Sequence, residues 1–134
     1  MTKRRVAILI SGRGSNMTAL IEAAKAKDFP ADIVLVVSNI AGAAGLARAS
    51  EAGIATATVE SKPFGKDREA FERKLQDTLV SHNIEIVCLA GFLRLLTPWF
   101  VKQWDGRMLN IHPALLPSYK GLHTHERALA DGVK

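Results

Sequence analysis

The run Val6-Ala7-Ile8-Leu9-Ile10 contains no polar residue. A strand of that composition has no face to turn towards water, so it belongs inside a sheet that is covered on both sides. Ile33-Val34-Leu35-Val36-Val37, within Asp32 to Val37, has the same character. So has Ile84 to Leu89, which reads Ile-Glu-Ile-Val-Cys-Leu. Ile54 to Val59 alternates and reads as a weaker strand nearer an edge, and Arg107 to Ile111 reads as a short fifth strand. Helical patterns fall between these runs. Met17, Leu20, Ile21 and Ala24 recur at i, i+3, i+4 and i+7. Leu46 to Ala52 is rich in Ala and closed by Gly53. Phe71, Leu75, Leu79 and His82 mark one face of a longer helix that starts near Lys66 and ends at His82. Thr97-Pro98 offers a cap and a first-turn proline to a short helix, and Glu126 to Asp131 reads as helical with Gly132 behind it. This alternation predicts an α/β fold, a Rossmann-like parallel sheet with helices on both faces. With no internal repeat, low-complexity tract or long linker, residues 1–134 read as a single domain.

Composition removes several classes. Apolar residues are 48% and charged residues 23%, which excludes disorder and fibrous repeats, and no apolar run reaches the roughly 18 residues of a membrane helix. The apolar run behind the basic N-terminus enters a Gly/Ser turn with no small-residue cleavage site, so no secretory signal is expected. Cys88, the single cysteine, cannot form an internal disulfide; it fits a reducing cytoplasm and reads as a packing residue in a buried strand. The formal charge of +5 suits an anionic ligand. The basic residues are scattered and aromatics are only 6%, so neither a nucleic-acid nor a membrane partner is expected.

Parallel sheets of this kind bind ligands beyond the carboxyl ends of their strands, which singles out the turns after the first, fourth and fifth strands. The first is Ser11-Gly12-Arg13-Gly14-Ser15-Asn16. Its glycines let the backbone approach a ligand, the helix behind it presents N–H groups to an anion, and Ser15 or Asn16 is placed to cap that helix. The dinucleotide fingerprint fails here, because Met17 stands where its third glycine is needed and Ser38-Asn39 where an acid should follow the second strand. The Gly-Lys-Ser/Thr of nucleotide hydrolases is also absent. A phosphate, or a plain turn and cap, remains. In Asn110-Ile111-His112-Pro113 the Asn and His share one face of the strand. His112 is suited to acid–base work and Asn110 to donating a hydrogen bond to an oxyanion. The rigid apolar loop Pro113 to Gly121 beside them, with two prolines, resembles the wall of a site for a flat or small substrate. His123 and His125 have no Cys or carboxylate at ligand spacing, so no metal is expected.

Four motifs occur in order: Ile10 to Asn16, Leu89-Ala90-Gly91-Phe92-Leu93-Arg94-Leu95-Leu96, Asn110 to Pro117, and Gly121-Leu122-His123-Thr124-His125. Together they closely resemble the phosphoribosylglycinamide formyltransferase family of purine synthesis, across essentially the whole chain. The resemblance implies transfer of a formyl group from 10-formyltetrahydrofolate, as co-substrate, to the amine of glycinamide ribonucleotide. It assigns the substrate phosphate to Gly14, Ser15 and Asn16. It assigns the folate to Arg68, Leu93, Arg94, Leu95, Leu96 and Asn110, with pterin contacts that are largely backbone and apolar, and catalysis to Asn110 and His112. It also allows a cis Leu116-Pro117 bond. Alternatives are a formyl-folate hydrolase, a methionyl-tRNA formyltransferase, or a catalytically incomplete ligand-binding fragment. Gly14-Ser15-Asn16 favours the small ribonucleotide over tRNA, and Pro113 after His112 favours the transferase over the hydrolase.

The family pairs its His with an Asp from a loop beyond the fifth strand, and Lys134 falls just before the matching segment. Asp105, Glu126 and Asp131 lie outside that motif, so the role passes to none of them. The chain is therefore expected to be the amino-terminal portion of the domain, by itself inactive and inclined to associate through uncovered apolar faces. Whether the enzyme works as a monomer or a homodimer is open.

Overall fold

The computed structural model describes residues 4–26, 28–94 and 96–111. The apolar runs form five strands: β1 (Arg4–Ile10), β2 (Ala31–Ser38), β3 (Ala55–Thr58), β4 (Ile86–Leu89) and β5 (Met108–Asn110). Between them lie α1 (Ser15–Ala23), α2 (Ala44–Glu51), a 3₁₀ turn at Lys62–Phe64, α3 (Arg68–Ser81) and α4 (Pro98–Gln103). All neighbouring strands pair in parallel, in the order β3-β2-β1-β4-β5. The chain builds outward from β1 on one side, then returns to its other side for β4 and β5. The switch point therefore lies between β1 and β4, where such sheets bind ligands.

Alternate residues of β1 face opposite layers. Val6, Ile8 and Ile10 pack with Met17 and Leu20 of α1 and Ala49 of α2. Ala7 and Leu9 pack with Phe71, Leu75 and Leu79 of α3 and with Phe100 and Trp104 near α4. The doubly wound reading is thus met, with β3 at an edge as its alternation required. Phe100 and Trp104 anchor the short helix to the core, and the Trp104 indole N–H donates to Gln76 Oε1 at 2.7 Å.

Two expected strands begin later than their apolar runs do, for one shared reason. Behind α2, Gly53 takes φ 80°, its N–H donates to Ser50 O, and the Ile54 N–H donates to Ala49 O. Behind α3, Asn83 takes φ 56°, its N–H donates to Val80 O, and the Ile84 N–H donates to Leu79 O. Both are Schellman closures, in which the residue after the left-handed position folds back on the last turn. Ile54 and Ile84 are consequently the apolar seals of helix ends, not strand residues. His82 is the C-cap of α3, as expected.

Cys88 packs in the core of β4. Burial pushes its thiol up to about 12, so the nucleophilic thiolate is scarce in the native protein. Its contribution to stability is whole below the unfolded thiol's pKa of about 8.5 and falls as pH climbs through that value towards the folded one. Iodoacetamide labelling read by mass spectrometry at pH 8 should be slow in buffer and fast in urea. Equal rates would contradict the packing role.

Candidate active site

β1 delivers the chain into the turn at the switch point. Gly14 occupies the N-cap position of α1 with φ 72° and ψ 33°, a left-handed conformation. A Cβ there would stand 3.0 Å from Met17 Cε and 3.1 Å from Gly45 Cα, so conformation and space both call for glycine. Its carbonyl accepts from the Thr18 N–H at 2.8 Å and from the Thr18 hydroxyl at 3.0 Å. The capping expected of Ser15 or Asn16 does not occur: no side chain caps α1, since the chain turns through Gly14 and both residues already belong to the helix. That leaves the first-turn amides of Ser15, Asn16 and Met17 pointing outward with no intrahelical acceptor. The first turn carries no acidic residue, so nothing there opposes an anion.

Gly45, at the start of α2, makes this turn possible. Its N–H donates to Gly12 O at 3.0 Å, and a Cβ on it would fall 2.5 Å from Ile10 Cδ1 and 3.1 Å from Gly12 O. The Ala-rich pattern predicts this helix from Leu46, whereas it begins at Ala44 and includes the buried Gly45. The small-residue run Ala41-Gly42-Ala43-Ala44-Gly45 was the available sign of a close approach.

The segment after β4 carries Arg94 into a cavity of about 600 Å³ that it shares with Lys66, Asp67, Arg68, Glu69 and Thr97. Arg68 and Arg94, 26 residues apart in the chain, are thereby brought together. Asp67 is spent as a cap: its Oδ1 accepts from the Ala70 N–H at 3.1 Å, which is why α3 starts at Arg68 and not near Lys66. Arg94 lies over the Phe71 ring at 5.4 Å. Its Nη2 is buried without a hydrogen-bond partner among the described residues. The cavity thus gathers three cations, Lys66, Arg68 and Arg94, against two carboxylates, Asp67 and Glu69. Leu93 is 79% exposed beside Arg94, whereas Leu96 packs against the α3 side of the core. Leu95 lies outside the described residues.

Thr97 does not use its hydroxyl as a cap for α4 either. Its N–H donates to Glu72 Oε2 at 2.7 Å and its hydroxyl donates to Glu72 Oε1. Glu72 belongs to a segment that reads as a solvated charged face, yet it is 1% exposed.

β5 brings Asn110 to the same edge. Asn110 is exposed and sits in register with Leu89, and the Ile111 N–H donates to Leu89 O at 2.8 Å. By alternation it shares a face with Met108, on the α3 and α4 side. Only β4 separates β5 from β1, a span of about 10 Å at ordinary strand spacing. His112 lies outside the described residues, as do the Leu116-Pro117 bond, His123, His125 and the expected helix at Glu126 to Asp131.

A doubly wound sheet with a glycine turn at its switch point, a charged cavity lined by Arg68 and Arg94, and an amide at the end of β5 defines an α/β protein whose candidate functional groups gather at the carboxyl edge of the sheet. More particularly, the chain belongs to the formyl transferase family, whose match runs over residues 4–134. It is 50% identical to the trifunctional purine biosynthetic protein adenosine-3 of Homo sapiens over 131 residues, covering 98% of this chain and 13% of that protein. It is 48% identical to the phosphoribosylglycinamide formyltransferase of Escherichia coli over 127 residues, covering 95% of this chain and 59% of that protein. The chain therefore spans only part of these relatives. Among solved structures, the phosphoribosylglycinamide formyltransferase from Brucella melitensis superposes with a TM-score of 0.78 at 52% identity, over 99% of this chain and 69% of that one. That from Coxiella burnetii, in complex with CHES, gives 0.76 at 45% identity, over 98% and 62%.

Proposed function

We propose that this chain forms the substrate-binding edge of a phosphoribosylglycinamide formyltransferase, a cytoplasmic enzyme that moves a formyl group from 10-formyltetrahydrofolate to the amine of glycinamide ribonucleotide. The observation that carries the reading is convergence. The helix-head turn follows β1, Arg94 of the charged cavity follows β4 and Asn110 ends β5, three neighbouring strands, and the relatives named above include phosphoribosylglycinamide formyltransferases. In this reading the backbone N–H groups of Ser15 and Asn16, reached through the Gly14 turn, and the side-chain NH₂ of Asn16 hold the ribonucleotide phosphate. Arg68 and Arg94 take the carboxylate end of the folate, and Leu93 to Leu96 form its wall. Both ligands are small anions, so no nucleic acid or membrane is needed.

The chemistry asks little more of the protein. The neutral amine of the ribonucleotide attacks the formyl carbon, and negative charge builds on the former carbonyl oxygen. Asn110 and a protonated His112 donate hydrogen bonds to that oxygen. A carboxylate beside His112 would raise its pKa and keep it protonated. The intermediate collapses as the bond between the formyl carbon and the folate nitrogen breaks; protonated His112 gives its proton to that departing nitrogen and regains one from the attacking amine, directly or through ordered water.

Calorimetric titration of the full-length gene product with glycinamide ribonucleotide tests the reading. Asn16→Ala should weaken binding by about 10- to 100-fold, the value of a charge-assisted hydrogen bond. Folate binding with no ribonucleotide binding in the unaltered protein would point to a hydrolase and overturn the assignment.

A further inference from the structure

A buried polar chain crosses the carboxyl edge of the sheet. The Leu93 N–H donates to Ser11 Oγ at 2.8 Å, the Ser11 hydroxyl donates to Asn39 Oδ1, and Asn39 Nδ2 donates to Ser61 Oγ at 3.0 Å. Ser11, Asn39 and Ser61 are each under 9% exposed. The backbone follows the same route, with the Asn39 N–H on Ile10 O and the Ser61 N–H on Asn39 O. The four residues follow β4, β1, β2 and β3, so the chain runs in the spatial order of the strands. It also has one direction. The Ser11 hydroxyl accepts from the Leu93 N–H on one lone pair and gives its proton to the Asn39 carbonyl, whose NH₂ in turn donates to Ser61.

Three of the four loops so joined lead into a proposed half-site. Ser11 opens the phosphate turn, Ser61 precedes the 3₁₀ turn before Arg68, and Leu93 adjoins Arg94. Leu93 is the telling member: with a side chain 79% exposed, its place is not set by burial, and its backbone is tied by the hydrogen bond to Ser11. We propose that Ser11 is a positioning residue, the link through which the phosphate turn fixes the wall of the formyl-donor cleft. This rests on the functional reading above and adds a specific coupling between its two half-sites.

The test is steady-state kinetics of the full-length gene product with each substrate varied in turn, together with amide exchange at Leu93. Ser11→Ala should raise KM for 10-formyltetrahydrofolate about tenfold, while KM for glycinamide ribonucleotide and kcat stay within about threefold, because the lost hydrogen bond acts on the donor wall in ground and transition states alike. Leu93 amide protection should fall in the same variant. Ser11→Thr, which keeps the hydroxyl, should restore most of the donor KM. Should Ser11→Ala fail to fold, Ser11→Cys keeps its volume with a weaker donor and should show the same split to a smaller degree. A rise shared equally by both substrates, a Thr variant no better than Ala, or unchanged Leu93 protection overturns the proposal. If the unaltered protein does not bind the formyl donor, the enzymatic reading falls, and Leu93 exchange still decides whether Ser11 holds the segment.

Discussion

Asn110→Ala in the full-length gene product should lower kcat by about 100- to 1000-fold, the usual consequence of removing one oxyanion donor, and leave ribonucleotide affinity nearly unchanged. The backbone supports so selective an effect. Asn110 is held by strand register against Leu89, and the next residue donates its N–H to Leu89 O. Neither tie uses the carboxamide, and the side chain is exposed at the strand end. Truncation should therefore leave β5 in place and remove only the donor. Asn110→Asp is the sharper variant. It keeps the shape but presents negative charge and no donor to an oxygen that is itself becoming negative, so it should be at least as slow as Ala. His112→Ala should abolish transfer with phosphate binding nearly intact, since that change removes both the second donor and the proton carrier. Single-turnover rates with calorimetry on the same preparations separate chemistry from binding. A kcat within tenfold of the unaltered enzyme for Asn110→Ala would remove it from the mechanism.

Most of the sheet was legible because burial on both faces leaves a plain mark: β1 and β2 are nearly continuous apolar runs, and 3.6-residue periodicity marked α1 and α3. The boundaries that went astray share a physical origin. Ile54 and Ile84 are apolar because they seal helix ends, and an apolar residue next to a strand run cannot be told from the strand's first residue by pattern alone. At the candidate site, Gly14 and Arg94 stand in motifs legible in the sequence, and Arg68 is singled out only by the family resemblance. Gly45, Glu72 and the Ser11-Asn39-Ser61 chain were not, because what matters about them is a partner far away in sequence. A buried Glu among Arg and Lys on a helix looks like any solvated charge until Thr97 arrives from 25 residues on. Asn39 served the sequence reading only by not being an acid. Its actual role, bridging two serines 50 residues apart, leaves no local pattern.

Glu72→Ala should cost about 3 kcal/mol of unfolding free energy, whereas Glu72→Gln should cost no more than about 1 kcal/mol. Glu72 is essentially buried within α3, and each of its oxygens accepts one hydrogen bond from Thr97, the residue that precedes α4. Around it Phe71 and Leu75 pack with Phe100 and Trp104, so the carboxylate is the polar fastening inside an apolar helix–helix contact. Alanine would leave the Thr97 N–H and hydroxyl without acceptors in a half-buried position and open a void against α4. Glutamine keeps the volume. Its carbonyl oxygen retains the backbone N–H, and the Thr97 hydroxyl can turn round to accept from the new NH₂. The difference between the two variants, read from urea unfolding, measures the hydrogen bonds and the packing of this side chain together, with the charge left out. The same fastening closes the segment that carries Arg94, so Glu72→Ala should also raise KM for the formyl donor, in step with its loss of stability. An Ala variant no less stable than the Gln variant would show that Thr97 finds its partners elsewhere, and that packing alone joins α3 to α4.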